Sequence, residues 1–231
     1  MPREESQNTG GSSQAVAAFL RASVSGFAMP PLKIMLIRHS EKPIKDRNLL
    51  PNSIRGVEPD GTKSKDSLSV RGWQRAGALV RYFAPLDGQA PLDPTIAQPD
   101  CLFACRAYPT NTSLRPQQTL WPLAEELAIP VNCDFAEGEE PALVEAVNAK
   151  QGGVVLISWK HNQLPRIANF ILGNKKQSPQ SWPIDNFSTT WIFDRIAKGW
   201  SFQQRPQRLL AGDPATTIDF SAPANEPVSN P

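Results

Sequence analysis

The chain is poor in the side chains that build most metal and redox centres. Its 231 residues contain two histidines, His39 and His161, and three cysteines, Cys101, Cys105 and Cys133. No CxxC pair or His-rich spacing accompanies them, which reads against a metal site, and the odd thiol count fits a reducing, cytoplasmic setting. Charge of one sign is also scarce. The 24 basic and 22 acidic residues leave a net +2, too little for a global nucleic-acid footprint, so any affinity for phosphate has to be local. The apolar stretch Gln14 to Met29 is short and interrupted by Arg21, which reads against both a membrane span and a signal peptide. No GxxxxGK[ST] string occurs, excluding a nucleotide-binding P-loop.

What is present suits one folded domain with tails, at 40% hydrophobic and 20% charged content. Flexible tails are expected over 1–30 and 211–231, with the working domain over 31–210. Met29, directly before PPLKIMLIRH, reads as an alternative translation start. Short apolar runs bounded by breakers predict buried strands over Lys33–Ile37, Cys101–Cys105, Pro130–Phe135 and Val154–Trp159. Helical stripes alternate with them over Arg71–Phe83, with Ser69 as its cap, then Arg115–Ala128, Glu140–Ala149 and Leu164–Leu172, the last stopped by Gly173. Thr189–Asp194 and Trp200–Gln204 flank a Lys198-Gly199 turn as a hairpin. The order predicts an α/β three-layer sandwich with a mostly parallel central sheet and an antiparallel edge hairpin.

Both histidines fall just past the carboxyl end of a predicted parallel strand, the edge at which open α/β sheets bind ligands. A lone histidine is ordinarily surface or core without chemistry; two at one edge are a different matter. Arg38 precedes His39, and Arg115 opens the helix after the second strand. Guanidinium forks supply fixed, permanently charged donors for a tetrahedral phosphate, and a helix N-terminus adds backbone N–H groups.

The string Leu36-Ile-Arg-His-Ser-Glu-Lys-Pro43 resembles the RHG-type signature of the histidine phosphatase superfamily, which includes the phosphoglycerate mutases, in an RHxEKP variant. Leu68-Ser-Val-Arg-Gly-Trp-Gln-Arg-Ala76, Leu114-Arg-Pro-Gln-Gln-Thr119 and Val154-Val-Leu-Ile-Ser-Trp-Lys-His161 follow in the same order. The resemblance implies a phosphoglycerate mutase-like fold and a phosphatase that needs no metal or cofactor. It places the nucleophile at His39, and the phosphoryl-oxygen contacts at Arg38, Arg115 and His161. It further implies hydrolysis of a phosphomonoester or phosphoramidate, in a small phosphorylated substrate or a phosphoprotein, through a phosphohistidine. The alternatives are a phosphoglycerate mutase-type phosphotransferase and a catalytically weak module that binds phosphorylated ligands.

The acid that protonates the leaving oxygen is expected at Glu137, with Glu139 second, in the stretch Asp134-Phe-Ala-Glu-Gly-Glu-Glu140. Branches of the superfamily that place an aspartate after the second histidine differ from this chain, which has Asn162. Ser40 replaces the usual glycine, while Trp159 and Lys160 either line the pocket mouth or pack. Arg106 reads as a peripheral ion pair. Substrate selection is expected in the Ile44–Ser67 loop, the Asp87–Asp100 insert and the region beyond Gly173, and Lys42, Lys45, Arg47 and Lys160 hint at an anionic substrate.

Overall fold

The computed structural model describes residues 31–44, 55–150 and 152–221. The segment 1–30, Lys45, Arg47 and residues 222–231 lie outside the described residues. Six strands form one sheet: β1 (Lys33–Arg38), β2 (Cys101–Ala104), β3 (Val131–Asn132), β4 (Val154–Trp159), β5 (Thr189–Ile196) and β6 (Gly199–Pro206), in the order β3-β2-β4-β1-β5-β6. The pairs β1–β4, β2–β4 and β2–β3 are parallel, whereas β1–β5 and β5–β6 are antiparallel. The hairpin thus occupies the edge, and the α/β class is as expected. The third strand is shorter than predicted because Asn132 Oδ1 accepts the Asp134 N–H at 3.1 Å, turning the chain off the ladder.

Strand alternation divides the core in two. Ile34, Leu36, Phe103, Val155, Ile157 and Trp191 face one cluster, which α3 (Glu140–Asn148) and α4 (Leu164–Leu172) cover with Leu143, Val147, Ile167 and Ile171. Met35, Ile37, Leu102, Leu156 and Ile192 face the other, covered by α1 (Val70–Phe83) and α2 (Arg115–Leu127) through Leu79, Phe83, Leu120 and Leu123. Three layers result. The segment expected as a tail from 211 is held where it is described: Ile218 is buried in the first core and Asp213 accepts a bidentate pair from Arg75. The Asp87–Asp100 insert lies away from the strand ends that carry the histidines. It buries Ile96, and Lys33, the first residue of β1, donates to the Thr95 carbonyl at 3.0 Å. No helix among the described residues is long and apolar enough to cross a membrane.

Candidate active site

β1 and β4 are neighbours with Arg38 level with Trp159, and the His39 N–H donates to the Trp159 carbonyl at 3.0 Å. The two strands therefore release His39 and His161 side by side. His39 is 6% exposed, and its Nδ1 lies 2.8 Å from the Ser40 carbonyl oxygen. A carbonyl only accepts, so Nδ1 carries the proton and the neutral ring keeps its lone pair on Nε2. Burial, then the charge of Arg38, with Arg115 and His161 adding to them, hold the His39 pKa well below its ordinary 6.5. Both effects favour the neutral ring at physiological pH.

Ser40, the departure from glycine, is held at both its backbone N–H and its carbonyl. Its N–H donates to Thr119 Oγ1 at 2.8 Å, and Thr119 Oγ1 donates in turn to the Arg115 carbonyl at 2.8 Å. One turn of α2 thereby couples the phosphate-binding candidate Arg115 to the backbone of Ser40, whose carbonyl orients the His39 ring. Residues i and i+4 share a helix face, so the Arg115-to-Thr119 spacing was the signal available in sequence.

Arg38 is 1% exposed. Its Nη1 donates to the carbonyls of Pro183, Ile184 and Asn186 at 3.3, 2.6 and 3.2 Å, while Phe187 lies 3.7 Å under the guanidinium carbon. The Nε and Nη2 groups are buried without a partner among the described residues, as are Nε and Nη1 of Arg115. Burial lowers the Arg38 pKa to about 9 and lowers that of Arg115 as well. These are buried cationic donors aimed at no protein acceptor, a costly state that an anion relieves. His161, pushed down to about 4 by burial and then by Arg38 and Lys42, completes the group as a neutral imidazole.

Glu137 stands beside this group rather than within it. Its carboxylate accepts from Lys160 Nζ, Asn111 Nδ2 and Tyr108 OH on one oxygen, and from Asn162 Nδ2 and Gln163 Nε2 on the other. Burial opposes its charge, but Lys160, Asn162 and Gln163 outweigh burial and lower its pKa. Glu139 turns outward to Arg106, 3.4 Å away, so Arg106 is the peripheral ion pair expected. Trp159 is fully buried and donates to Glu140, so it packs.

Behind His39 lies a closed ionic network. Arg75 Nε donates to both Glu41 oxygens at 3.1 and 3.0 Å, its Nη groups reach Asp213 at 2.9 and 2.7 Å, and Arg71 lies 3.3 Å from Glu41. Ser69 caps α1 by accepting from the Gly72 N–H, and donates to the Glu41 carbonyl. A Cβ at Gly72 would come 2.4 Å from that carbonyl oxygen, so only glycine lets α1 approach this closely. Cys105, pushed up to about 12 by burial, is no thiolate nucleophile. No cluster of metal-ligating side chains occurs among the described residues.

No family model matches the chain, and no curated protein matches it. Among solved structures it is similar to an Agrobacterium tumefaciens chain assigned as the phosphohistidine phosphatase SixA, at 15% identity and a TM-score of 0.44, covering 74% of this chain and 96% of that one. An Escherichia coli K-12 chain assigned as an alpha-ribazole-5'-P phosphatase gives 14% identity, a TM-score of 0.43 and coverage of 78% and 98%. The product of open reading frame Rv3214 from Mycobacterium tuberculosis gives 11%, 0.41, and 74% and 95%.

Proposed function

We propose that the protein is a phosphatase that hydrolyses a phosphomonoester or phosphoramidate through a phosphohistidine on His39. The observation that carries this reading is the fixed tautomer of His39, which leaves the Nε2 lone pair unprotonated beside buried guanidinium N–H groups that have no acceptor among the described residues. In the first step Nε2 forms a bond to phosphorus as the bond to the leaving group breaks. Arg38, Arg115 and His161 hold the three phosphoryl oxygens while charge spreads over them. In the second step water attacks phosphorus, the N–P bond breaks and inorganic phosphate leaves.

The proton for the leaving group is assigned to Glu137. Five donors favour its ionised form, so proton delivery requires an anionic substrate to draw Lys160 off the carboxylate, raising its pKa. A good leaving group, as in a phosphoramidate, relaxes that requirement. The same saturated carboxylate favours, as second reading, a module that binds phosphorylated ligands with little turnover.

Aryl phosphate hydrolysis in EDTA, with alkaline quenching to preserve phosphohistidine, tests the proposal. Turnover and label that both vanish in His39→Ala are expected. Folded protein that binds phosphate yet gives neither turnover nor label returns the binding-module reading.

A further inference from the structure

We propose that Phe187 is a positioning residue for Arg38: together with the 183–186 turn, its ring fixes the buried guanidinium for a phosphoryl group and leaves the charge unspent, a role that rests on the phosphatase reading above. Arginine has a long, rotamer-rich side chain, so its contact with phosphate is strong only if the geometry is set before the ligand arrives. Here the grip comes from one short segment. The Pro183, Ile184 and Asn186 carbonyls accept from Nη1 at 3.3, 2.6 and 3.2 Å, and the Phe187 ring centre lies 3.7 Å from the guanidinium carbon. The same ring lies 6.1 Å, centre to centre, from the His39 imidazole, at an interplanar angle of 57°. One half-buried aromatic thus adjoins both the nucleophile candidate and the cation beside it.

The segment is anchored at both ends. Trp182, 2% exposed, packs on Trp191 with ring centres 4.8 Å apart and donates from Nε1 to the Asn186 carbonyl at 2.9 Å. The Asn186 N–H closes the turn onto the Pro183 carbonyl at 3.1 Å, Asn186 Oδ1 accepts the Ser188 N–H at 3.2 Å, and Thr189 then enters β5. The backbone that carries the ring is therefore fixed by the core and the sheet, independently of Arg38. The grip differs in kind from that on Arg75, whose partners include two carboxylates. Carbonyl dipoles and a ring face attract a guanidinium without carrying net charge, so they orient Arg38 and leave its positive charge to act on an anion. They occupy one face and one nitrogen. Nε and Nη2, without a partner among the described residues, remain for the ligand.

The test is titration of the full chain with inorganic phosphate at pH 7, followed through the imidazole C–H resonances of its two histidines. Wild type is compared with Phe187→Leu, Phe187→Tyr, Arg38→Met and the double variant Arg38→Met/Phe187→Leu. Phe187→Leu keeps an apolar side chain and removes the ring face, and its Kd for phosphate is expected to rise about tenfold. Phe187→Tyr restores the face and is expected to bring the Kd back to within about twofold of wild type. On the Arg38→Met background, Phe187→Leu is expected to add no more than about twofold, and kcat/KM for an aryl phosphate to follow the same pattern. A wild-type Kd in Phe187→Leu, or a loss of about tenfold that recurs on Arg38→Met, overturns the positioning role and leaves the phosphatase reading standing. The expected pattern of affinities without any phosphoenzyme supports the positioning role and overturns the phosphatase reading. Failure of the wild type to bind phosphate, with no phosphoenzyme formed, overturns both.

Discussion

Arg38 and Arg75 are both nearly fully buried, at 1% and 2% exposure, yet the molecule treats them oppositely. Arg75 meets Glu41, Asp213 and Gln207, and although burial opposes its charge, the two carboxylates prevail and raise its pKa. Arg38 is given three backbone carbonyls on one nitrogen and, among the described residues, nothing on two others, and burial brings it down to about 9. Glu41 serves Arg75 although it also acts on Arg38 from a distance. A buried arginine with every donor matched is part of the scaffold; one with donors left over is arranged for a ligand.

Arg75→Met breaks the scaffold side of this contrast. It leaves Glu41 and Asp213 with Arg71 alone in a buried setting, and the urea unfolding free energy is expected to fall by about 3–5 kcal/mol. A loss below about 1 kcal/mol would show the network to be dispensable. Arg38→Met breaks the ligand side. Here kcat/KM for an aryl phosphate is expected to fall about 10²–10³-fold, with the unfolding midpoint unchanged or higher. An equal loss of stability in the two variants would erase the distinction.

The pH dependence sharpens it. His39 and His161 are both held below their ordinary 6.5, so the unfolded chain binds their protons first. Stability is full above about pH 6.5 and is lost as pH falls towards 4, by roughly 1–3 kcal/mol. The chain has only these two histidines, so the upper part of that window is theirs. Added phosphate is expected to reduce the loss, since an anion favours both protonated rings. A stability profile flat from pH 7 to 5 would contradict the shifts. The smallest effect is Thr119→Val, which removes the acceptor for the Ser40 N–H and is expected to cost about 1–2 kcal/mol. It should also lower kcat more than it raises KM, because it loosens the nucleophile rather than the phosphate contacts.

Much of this was legible in the residues. The continuous apolar runs of β1 and β4 and the stripe in α1 fix these elements locally, and His39 and His161 fall at strand ends by counting alone. Arg106 was readable as one half of a peripheral pair, but its partner Glu139 was not, standing in the sequence as the second candidate for the acid. The saturation of Glu137 was not: its donors come from the 108–111 turn and from the end of β4, and no spacing links them. Phe187, stacked on Arg38 and 6.1 Å from the His39 ring centre, sits in a segment without a motif.

The sequence by itself determined the layering and the strand edge at which both histidines fall, because these follow from short-range periodicity and residue type, whereas His39 as nucleophile candidate came from the resemblance of its motif to the histidine phosphatase signature. Only the tertiary structure decided which charges are satisfied. Arg38 finds its carbonyls 145 to 148 positions away and Arg75 finds Asp213 138 positions away. Whether a buried cation is paired or left for a ligand depends on such distant partners, and on the low dielectric they share, which makes a match or a mismatch count.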